Sequence, residues 1–393
     1  MQVPSRDRGA PPESAAAGAG AEPHGGNRYA VAARLGCRPD QLLDASASLV
    51  PFGPPPRLRW QLGLAAVSGL TLRDYPDREA TALRQAIAAW HQLDPSRVLP
   101  GNGAAELFTW AARDAAACGV SLVPQPGFAD YLRALACWDG AWQPLPLPLD
   151  WGEGWPQAFP SLQGSAPAQV LWITNPHNPT SQLWSRRSLE PLLERFALVI
   201  VDEAFLPLVP GGEAQSLVPL LERHPNLVVI RSLTKLCSVA GLRLGYALGH
   251  PDRLGRWAGW RDPWPVNGLA AAAATALLAD PAGLRRWQRR VGDWVDRELD
   301  WLPPRLALLP GLQPRPAAAN FLLLRGVCRG RPRSLEPLRQ VLERRHRILL
   351  RDCRSFAGLD GSWLRLGLQD RRGHRRLLAA LRREWDEGAG PGD

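Results

Sequence analysis

Lysine is almost absent from this sequence: Lys235 is the single lysine, although the chain is strongly basic. Lysine and arginine together number 47, so 46 of these residues are arginine, and the formal net charge is +10. Arginine serves as well as lysine as a surface cation, but only a lysine amine readily loses its proton and attacks a carbonyl carbon. A leftover surface charge is the alternative explanation. The use of arginine everywhere else indicates that position 235 requires an amine.

Long apolar segments and metal-binding cysteine spacings are also missing. No apolar run reaches the ~18 residues that suggest a membrane span, and residues 1–23 lack the apolar core of a secretory signal. The six cysteines form no CxxC pair and no Cys/His spacing typical of a metal site. We therefore expect a cytoplasmic protein with reduced thiols, no metal, no membrane partner and a disordered tail at residues 1–23.

The net positive charge raises the question of a nucleic-acid partner. The arginines are scattered along the chain, without a long basic block and without the aromatic-basic interleaving of a binding module. The sequence therefore predicts no nucleic-acid partner, and the charge favours small anionic ligands instead.

Apolar and amphipathic segments alternate between residues 119 and 249, which predicts an α/β fold with a mostly parallel sheet flanked by helices. The predicted strands are 119–123, 170–174, 198–201, 227–230 and 244–248, and the predicted helices are 129–136, 185–196 and 214–223. A long helix follows at 281–302, with a hinge at 301–304.

Residues 304–386 predict a small C-terminal α+β domain, with strands 320–324, 348–350 and 363–368 and helices 334–344 and 371–385. The predicted division is a tail at 1–23, an N-terminal arm or small-domain segment at 24–74, a large domain at 75–303 and the small domain at 304–386.

Lys235 follows a predicted strand at 227–230, at the edge where open α/β sheets bind ligands. Ser232 and Thr234 precede it, and their hydroxyls could bind phosphate oxygens. Arg243 follows eight residues later and could grip the same phosphate with its planar guanidinium. A lysine beside a phosphate site is the arrangement that binds pyridoxal phosphate (PLP), whose carbonyl the amine attacks. The pattern Ser-x-Thr-Lys-x7-Arg-x-Gly-Tyr resembles the cofactor-lysine segment of aminotransferase-like PLP enzymes of fold type I.

A second candidate anion site lies in the glycine-bearing loop at 99–107, which enters a predicted helix. Free backbone N–H groups at a helix N-terminus bind anions. Most glycine turns bind nothing. The prediction of an anion site at this loop is therefore supported only by the second predicted phosphate site at Ser232 and Thr234.

Asp202 ends the predicted strand 198–201. A carboxylate at the end of a buried strand needs a partner, and the protonated ring nitrogen of PLP is one. A helix-cap aspartate is the alternative.

The turn Asn175-Pro176-His177-Asn178-Pro179-Thr180 follows another strand. Its prolines make the turn rigid, so that an asparagine side chain can point at a ligand. An ordinary Asx-turn is the alternative.

Together, the Asn-Pro-x-Asn-Pro-Thr turn, the Asp-Glu-Ala-Phe strand end and the lysine segment resemble the class I/II aminotransferase family, over about residues 24–385. Within it, motifs at both chain ends resemble threonine-phosphate decarboxylases of cobalamin synthesis, and next histidinol-phosphate aminotransferases. These motifs are His24-Gly25-Gly26-Asn27, the loop at 44–53, Trp264-Pro265-Val266-Asn267, Asn320-Phe321-Leu322 and the segment at 350–365.

The resemblance implies a fold type I PLP-dependent transferase with a defined cofactor site. Lys235 would hold PLP and act as the catalytic residue. The other implied cofactor-binding residues are Asp202 on the ring nitrogen, Phe128 stacked on the ring, Asn178 on the phenolic oxygen, and Gly103, Ala104, Ser232, Thr234 and Arg243 on the phosphate. Tyr75 would reach that phosphate from the other subunit of a homodimer.

The same resemblance implies a site for a small anionic amino acid. Arg365 would bind the substrate carboxylate, with Asn178 nearby, and Arg351 would add a second positive charge. The loop of His24, Gly25, Gly26 and Asn27 is the candidate for a substrate phosphate.

Five positions depart from the family pattern. Phe205 stands where many members have a tyrosine that donates to the cofactor oxygen, and Ser181 replaces the glycine that usually ends the Asn-Pro-Thr-Gly turn. Ser48 and Val50 replace asparagines, and Gln369 lies where a basic residue is common. These departures concern the substrate more than the cofactor.

Two reactions are therefore open. If the site aligns the Cα–carboxylate bond, the expected reaction is decarboxylation of L-threonine O-3-phosphate to aminopropanol phosphate. If it aligns Cα–H, the expected reaction is transamination of an anionic amino acid or amine. A third hypothesis is a regulatory or structural protein that keeps the fold but has no catalytic activity. The retention of the single lysine at position 235 argues against it.

Overall fold

The structure, a computed structural model, describes residues 24–162 and 167–387, so the predicted disordered tail at 1–23 lies outside the described residues. The α-helices are α1 (Arg28–Arg34), α2 (Pro56–Ser68), α3 (Leu70–Arg73), α4 (Thr81–His91), α5 (Gly103–Cys118), α6 (Asp130–Ala136), α7 (Arg186–Leu189), α8 (Leu233–Leu236), α9 (Pro251–Trp260), α10 (Gly268–Leu278), α11 (Pro281–Leu306), α12 (Glu336–His346) and α13 (Arg371–Glu387). None of the helices in the described ranges is long and apolar enough to span a membrane.

The strands are β1 (Leu43–Asp44), β2 (Val98–Asn102), β3 (Ser121–Gln125), β4 (Trp142–Pro146), β5 (Val170–Thr174), β6 (Leu198–Asp202), β7 (Leu227–Ser232), β8 (Leu244–Leu248), β9 (Leu312–Pro314), β10 (Phe321–Cys328), β11 (Arg331–Pro332), β12 (Ile348–Leu349), β13 (Arg351–Asp352) and β14 (Trp363–Gly367).

A seven-stranded sheet forms the centre of the molecule, in the order β2-β8-β7-β6-β5-β3-β4. The strands from β7 to β4 are parallel, and β8 is antiparallel to both of its neighbours. Strands β5, β6 and β7 are buried along their whole length, which explains their nearly continuous runs of valine, leucine and isoleucine. The predicted α/β fold with a mostly parallel sheet is confirmed.

Helices cover both faces of this sheet. Alternate residues of β6 point to opposite faces: Ile200 packs in a cluster with Phe108 of α5, and Val199 in a second cluster with Val295 of α11. The carboxyl edge of the sheet is thereby held rigidly between two apolar layers.

A smaller antiparallel sheet is built on β10, which pairs with β9, β11 and β14, while β13 pairs with β14. Together with α12 and α13 it forms the predicted C-terminal α+β unit. The start of the described chain joins this unit, because β1 pairs in parallel with β12. Helix α2, by contrast, packs on α10.

Prolines account for two errors in the predicted helices. The segment predicted as one helix at 214–223 overlaps two separate 3₁₀ turns, Gly212–Gln215 and Val218–Leu220. Pro219 has no N–H to donate and its ring disfavours a continuous helix. The predicted helix at 185–196 is α-helical only over α7 and continues as a 3₁₀ segment that contains Pro191.

The opposite error occurs at the predicted hinge. Helix α11 continues through Pro303 and Pro304 to Leu306, so residues 301–304 are helical and do not form an interdomain loop. Leu302 and Leu306 are fully buried, and this packing holds the last turn helical in spite of the prolines. The division into segments at 24–74, 75–303 and 304–386 stays a prediction.

Two edge strands escaped the sequence analysis. Strand β2 contains Pro100, and β4 contains Pro144 and Pro146. Prolines inside a segment are more typical of loops than of strands, so neither segment was predicted as a strand. Each pairs with one neighbour only, so the missing N–H groups can face away from the sheet.

Candidate active site

A cavity of about 370 Å³ lies at the carboxyl ends of the parallel strands, and we call it the Lys235 cavity. It brings together most of the residues that the sequence predicted for the site. These residues are His24, Gly25, Ala104, Phe128, Asn178, Asp202, Ser232, Thr234, Lys235, Arg243, Arg351 and Arg365.

Four predicted site residues do not line this cavity. Gly103 lies directly behind the Arg243 guanidinium. Gly26 and Asn27 line an adjoining cavity of about 170 Å³, which shares His24, Gly25 and Arg351 with the Lys235 cavity. Tyr75 is 80% exposed and stacks on Trp264, with 4.6 Å between ring centroids. Its predicted contact with the cofactor of a second subunit stays a prediction.

Lys235 is positioned by the transition from β7 to the short helix α8. Ser232 caps that helix, because its Oγ accepts a hydrogen bond from the Thr234 N–H at 3.2 Å. The two hydroxyls also lie 2.7 Å apart, so both are gathered at the helix start. Lys235 follows immediately and projects into the cavity.

The pKa of Lys235 is lowered to about 8. Burial is the largest cause, and the nearby guanidinium groups of Arg365 and Arg243 act in the same direction, whereas Asp202 has a smaller, opposite effect. A lysine amine with this pKa is deprotonated to a much larger extent at neutral pH than an ordinary one. An amine in this state is suited to nucleophilic attack and to proton transfer.

Asp202 ends β6 and is almost fully buried. Tyr131 Oη donates to its Oδ2 at 2.6 Å, and the Ala204 N–H donates to its Oδ1 at 2.9 Å. Burial raises the pKa of Asp202 to about 6, although the hydrogen bond from Tyr131 lowers it. A buried carboxylate in this state gains from a cationic partner, as a protonated ring nitrogen would provide.

An anion site that we call the phosphate cradle consists of Gly103, Ala104, Ser232, Thr234 and Arg243. Gly103 starts α5 with a φ of +76°, and a Cβ built there would lie 2.5 Å from Arg243 Nη2. A Cβ at Gly245 would lie 2.6 Å from the Ala104 backbone nitrogen. Glycine is needed at both positions for the helix start and β8 to approach each other. The backbone N–H groups at the helix start and Arg243 thus lie close enough together to bind one anion.

The phosphate cradle, Lys235 and Asp202 fit the phosphate, the carbonyl and the ring nitrogen of PLP. Each group has the chemistry that its partner requires: hydrogen-bond donors for the phosphate, an amine for the carbonyl and a carboxylate for the ring nitrogen. These residues would hold the cofactor, and Phe128 in the cavity wall would cover its ring.

Arg351 and Arg365 form a pair of buried guanidinium groups, the arginine pair. Their Cζ atoms lie 5.1 and 6.0 Å from the centroid of the Phe356 ring. Arg365 donates from Nη1 to Asn178 Oδ1 and from Nη2 to the Ser46 carbonyl at 3.1 Å. Burial and the nearby Arg351 lower the pKa of Arg365 to about 10. Two adjacent cations in a buried wall favour an anion between or beside them.

The loop that contains His24 and Gly25 is clamped onto Ser46. A Cβ at Gly25 would lie 2.4 Å from the Ser46 carbonyl oxygen, and the Gly26 N–H donates to Ser46 Oγ at 2.9 Å. Ser46 Oγ in turn donates to Asp44 Oδ1 at 2.6 Å. The loop is thereby held beside the arginine pair, where partial burial lowers the pKa of His24.

The departures from the family pattern have structural explanations. Phe205 lines the cavity, with its ring centroid 5.4 Å from Lys235 Nζ and no hydroxyl to donate. Ser181 keeps the left-handed backbone of a glycine, with a φ of +65°, and its Oγ accepts from the Ala319 N–H at 2.9 Å.

The remaining three departures differ in their distance from the cavity. Ser48 lines the Lys235 cavity with a buried side chain. Val50 is buried in the core, and its carbonyl accepts from Ser238 Oγ. Gln369 does not line the cavity; its Nε2 donates to backbone carbonyls, including that of Asp44 at 3.2 Å, so it supports the loop below the site.

Tyr131 and Asp130 are site residues that sequence reasoning missed. Tyr131 Oη bonds both Asp202 and Thr174 Oγ1, the latter at 2.9 Å. Asp130 lines the cavity and pairs with Arg133. The scarcity of tyrosine, with four in the chain, is a signal that could have identified Tyr131, three residues after Phe128.

Comparison with known proteins agrees with this arrangement. The sequence profile of the aminotransferase class I and II family matches residues 46–381. The fold is that of PLP enzymes of fold type I. The chain belongs to the aminotransferase class I and II family, whose members are PLP-dependent enzymes.

Individual relatives are similar over nearly the whole chain. A threonine-phosphate decarboxylase of Salmonella typhimurium is 36% identical over 374 residues, which cover 91% of this chain and 95% of the relative. A histidinol-phosphate aminotransferase of Symbiobacterium thermophilum is 32% identical, over 86% of this chain and 89% of the relative. The crystal structure of L-threonine-O-3-phosphate decarboxylase from Porphyromonas gingivalis has a TM-score of 0.71 and 25% identity, over 88% of this chain and 100% of that one.

The hydrogen bond from Tyr131 should control the pH at which the apoprotein binds PLP. Only ionised Asp202 can pair with a protonated ring nitrogen, so affinity should fall as the pH drops through about 6. Tyr131→Phe removes a donor to the charged form, and should raise the midpoint by about one pH unit. The measurement is PLP affinity between pH 5 and 8.

Tyr246→Phe is the matched control, because Tyr246 is also buried but its hydroxyl lies 2.9 Å from His91 Nε2 instead of a cavity residue. The control should keep the wild-type midpoint. An unchanged midpoint in Tyr131→Phe would contradict the role of this hydrogen bond.

Proposed function

We propose that this chain catalyses the PLP-dependent decarboxylation of L-threonine O-3-phosphate to aminopropanol phosphate in cobalamin biosynthesis. The observation that carries the proposal is the arginine pair, with two buried cations on one wall of the Lys235 cavity. A substrate with both a carboxylate and a phosphate would offer one anionic group to each of these two cations.

The roles of the two arginines follow from their contacts. Arg365 is fixed by Asn178 and Ser46, so it would present a rigid guanidinium to the substrate carboxylate. Arg351 faces both the Lys235 cavity and the adjoining cavity, where His24 and Asn27 also lie. This second region would take the substrate phosphate. Fixing both acidic groups would fix the orientation of Cα between them.

PLP supplies a carbonyl that the substrate amine can attack and a cationic ring that can accept the electron pair released at Cα. Asp202 would keep that ring protonated, and burial of the site would exclude water. When CO₂ leaves, a proton must replace it at Cα. Lys235 Nζ can deliver this proton, because its pKa of about 8 allows both protonation states near neutral pH.

Similarity over nearly the full chain supports decarboxylation over other reactions of the family. The relative from Salmonella typhimurium is named a threonine-phosphate decarboxylase and is 36% identical. The runner-up is a histidinol-phosphate-type aminotransferase acting on an anionic amino acid or amine, favoured by the relative from Symbiobacterium thermophilum at 32% identity. In that reaction Lys235 Nζ would take the Cα proton instead.

We further propose that the enzyme is a cytoplasmic homodimer. Tyr75 supports the dimer, because its ring is 80% exposed and lies outside the Lys235 cavity of its own chain. In the proposed dimer its hydroxyl binds the phosphate cradle of the second subunit. The location in the cytoplasm is a prediction from the spacing of the cysteines.

The reaction is tested with purified holoenzyme and L-threonine O-3-phosphate, with and without a 2-oxo acid. We expect CO₂ and aminopropanol phosphate in equal amounts, without any need for the acceptor. Unphosphorylated L-threonine should react about 100-fold less efficiently, because it leaves charge-assisted hydrogen bonds unmade. Amino transfer that requires the acceptor, without CO₂, would refute the decarboxylase and support the runner-up.

The dimer is tested by mixing two inactive variants. Lys235→Arg lacks the amine, and Tyr75→Ala lacks the proposed contact across the interface. A mixed dimer contains one site with both residues intact, so unfolding and refolding the two variants together should restore up to about one quarter of wild-type activity, the share of intact sites at random pairing. No recovery, with both variants folded, would contradict the shared site.

A further inference from the structure

A second cavity, of about 450 Å³, lies between α4, β2 and α9, and we call it the Arg261 cavity. It shares no lining residue with the Lys235 cavity among the described residues. Its lining combines apolar side chains with basic ones: Val98, Leu99, Leu254, Arg78, Arg84 and Arg261. This composition suits a small molecule with both an apolar and an anionic part.

Arg261 is the most unusual residue of this lining. Its side chain is only 6% exposed, although it carries five N–H donors and a permanent charge. Nη1 donates to the Pro100 carbonyl, and the nearest carboxylate oxygen, Glu106 Oε1, lies 4.0 Å away. Within residues 24–162 and 167–387 the guanidinium has no other hydrogen-bond acceptor. A buried guanidinium is normally bound by carboxylates, so donors remain for a ligand.

Glu106 does not neutralise Arg261, because its carboxylate is already committed. Oε2 accepts from the Asn102 N–H at 2.6 Å, and Oε1 accepts from Trp110 Nε1 at 2.9 Å. Burial accordingly lowers the pKa of Arg261, although Glu106 raises it.

The two carboxylates in the lining have other partners as well. Glu79 pairs with Arg84 at 3.2 Å, and Asp262 accepts from the Trp264 N–H at 2.7 Å. Neither forms an ion pair with Arg261 among the described contacts. The cavity therefore keeps an excess of positive charge at its buried arginine.

We propose that the Arg261 cavity binds a small oxyanion, with a carboxylate or phosphate group of the ligand against Arg261 and its apolar part against Val98, Leu99 and Leu254. The site is separate from the one where the substrate is proposed to react, and it does not depend on the identity of that reaction. Gly255 and Gly259 leave this wall open, because a Cβ built at either would meet no atom within 4 Å.

The test measures the thermal unfolding midpoint of the holoenzyme in increasing inorganic phosphate, and separately in hexanoate, at constant ionic strength. Four proteins are compared: wild type, Arg261→Gln, Gly259→Met and Arg256→Gln. Arg256 is the matched control, because it lies on α9, which ends one residue before Arg261, is half exposed and sits 3.6 Å from Asp114 outside the cavity. The Lys235 cavity is unchanged in all four, so differences between them report on the Arg261 cavity.

We expect at least one of the two anions to raise the midpoint of wild type and Arg256→Gln in a saturable way. Arg261→Gln should weaken that binding component about 10-fold or more, because a charge-assisted contact is lost. Gly259→Met should fold, because methionine has a higher helix propensity than glycine, and should lose the component by filling the cavity. Dependence on phosphate or on hexanoate identifies the anionic group. The same response in all four proteins, or no saturable response in wild type, would overturn the proposal.

Discussion

The Lys235 cavity holds more positive than negative charge, and this imbalance determines what it can bind. Its lining cations are Lys235, Arg243, Arg351 and Arg365, and its lining carboxylates are Asp202 and Asp130. Asp130 is already paired with Arg133, and neighbouring guanidinium groups lower the pKa values of both Lys235 and Arg365. In a buried site such repulsion is costly unless anions enter. In the proposed function the cofactor phosphate would pair with Arg243, and an acidic substrate would pair with the arginine pair.

The same imbalance sets the state of the reactive groups. Arg243 and Arg365 act on Lys235 in the same direction as burial, and bring the pKa of its amine to about 8. Tyr131 acts on Asp202 against burial, which alone would favour the neutral carboxyl group. The sheet supplies the geometry for both effects, because parallel strands deliver their carboxyl ends to one edge. The separate Arg261 cavity is connected to the same strand β2, because Arg261 binds the Pro100 carbonyl, three residues before Gly103 of the phosphate cradle.

Much of this site could be predicted because its reactive residues are recognisable from short segments of the sequence. Lys235 is the single lysine, Asp202 ends an apolar strand, and both lie where an α/β sheet binds ligands. Residues whose role comes from packing between distant segments were harder to find. Tyr131 reaches Asp202 only because α6 lies against the sheet, so this contact does not follow from the local sequence. Prolines caused two opposite errors in the predicted helices. A proline interrupts the predicted helix at 214–223, whereas α11 continues through two prolines because its last turn is buried.

The central claim is that Lys235 is the residue that binds PLP covalently, and the single lysine makes this claim directly measurable. Holoenzyme is reduced with borohydride, which makes the lysine–cofactor bond permanent, and is then digested with trypsin. The account predicts one cofactor per chain, on the peptide of residues 232–243, because modified Lys235 resists cleavage while Arg231 and Arg243 do not. Lys235→Arg should incorporate none. Absence of the label from this peptide in wild type, or retention of it in the variant, would contradict the account.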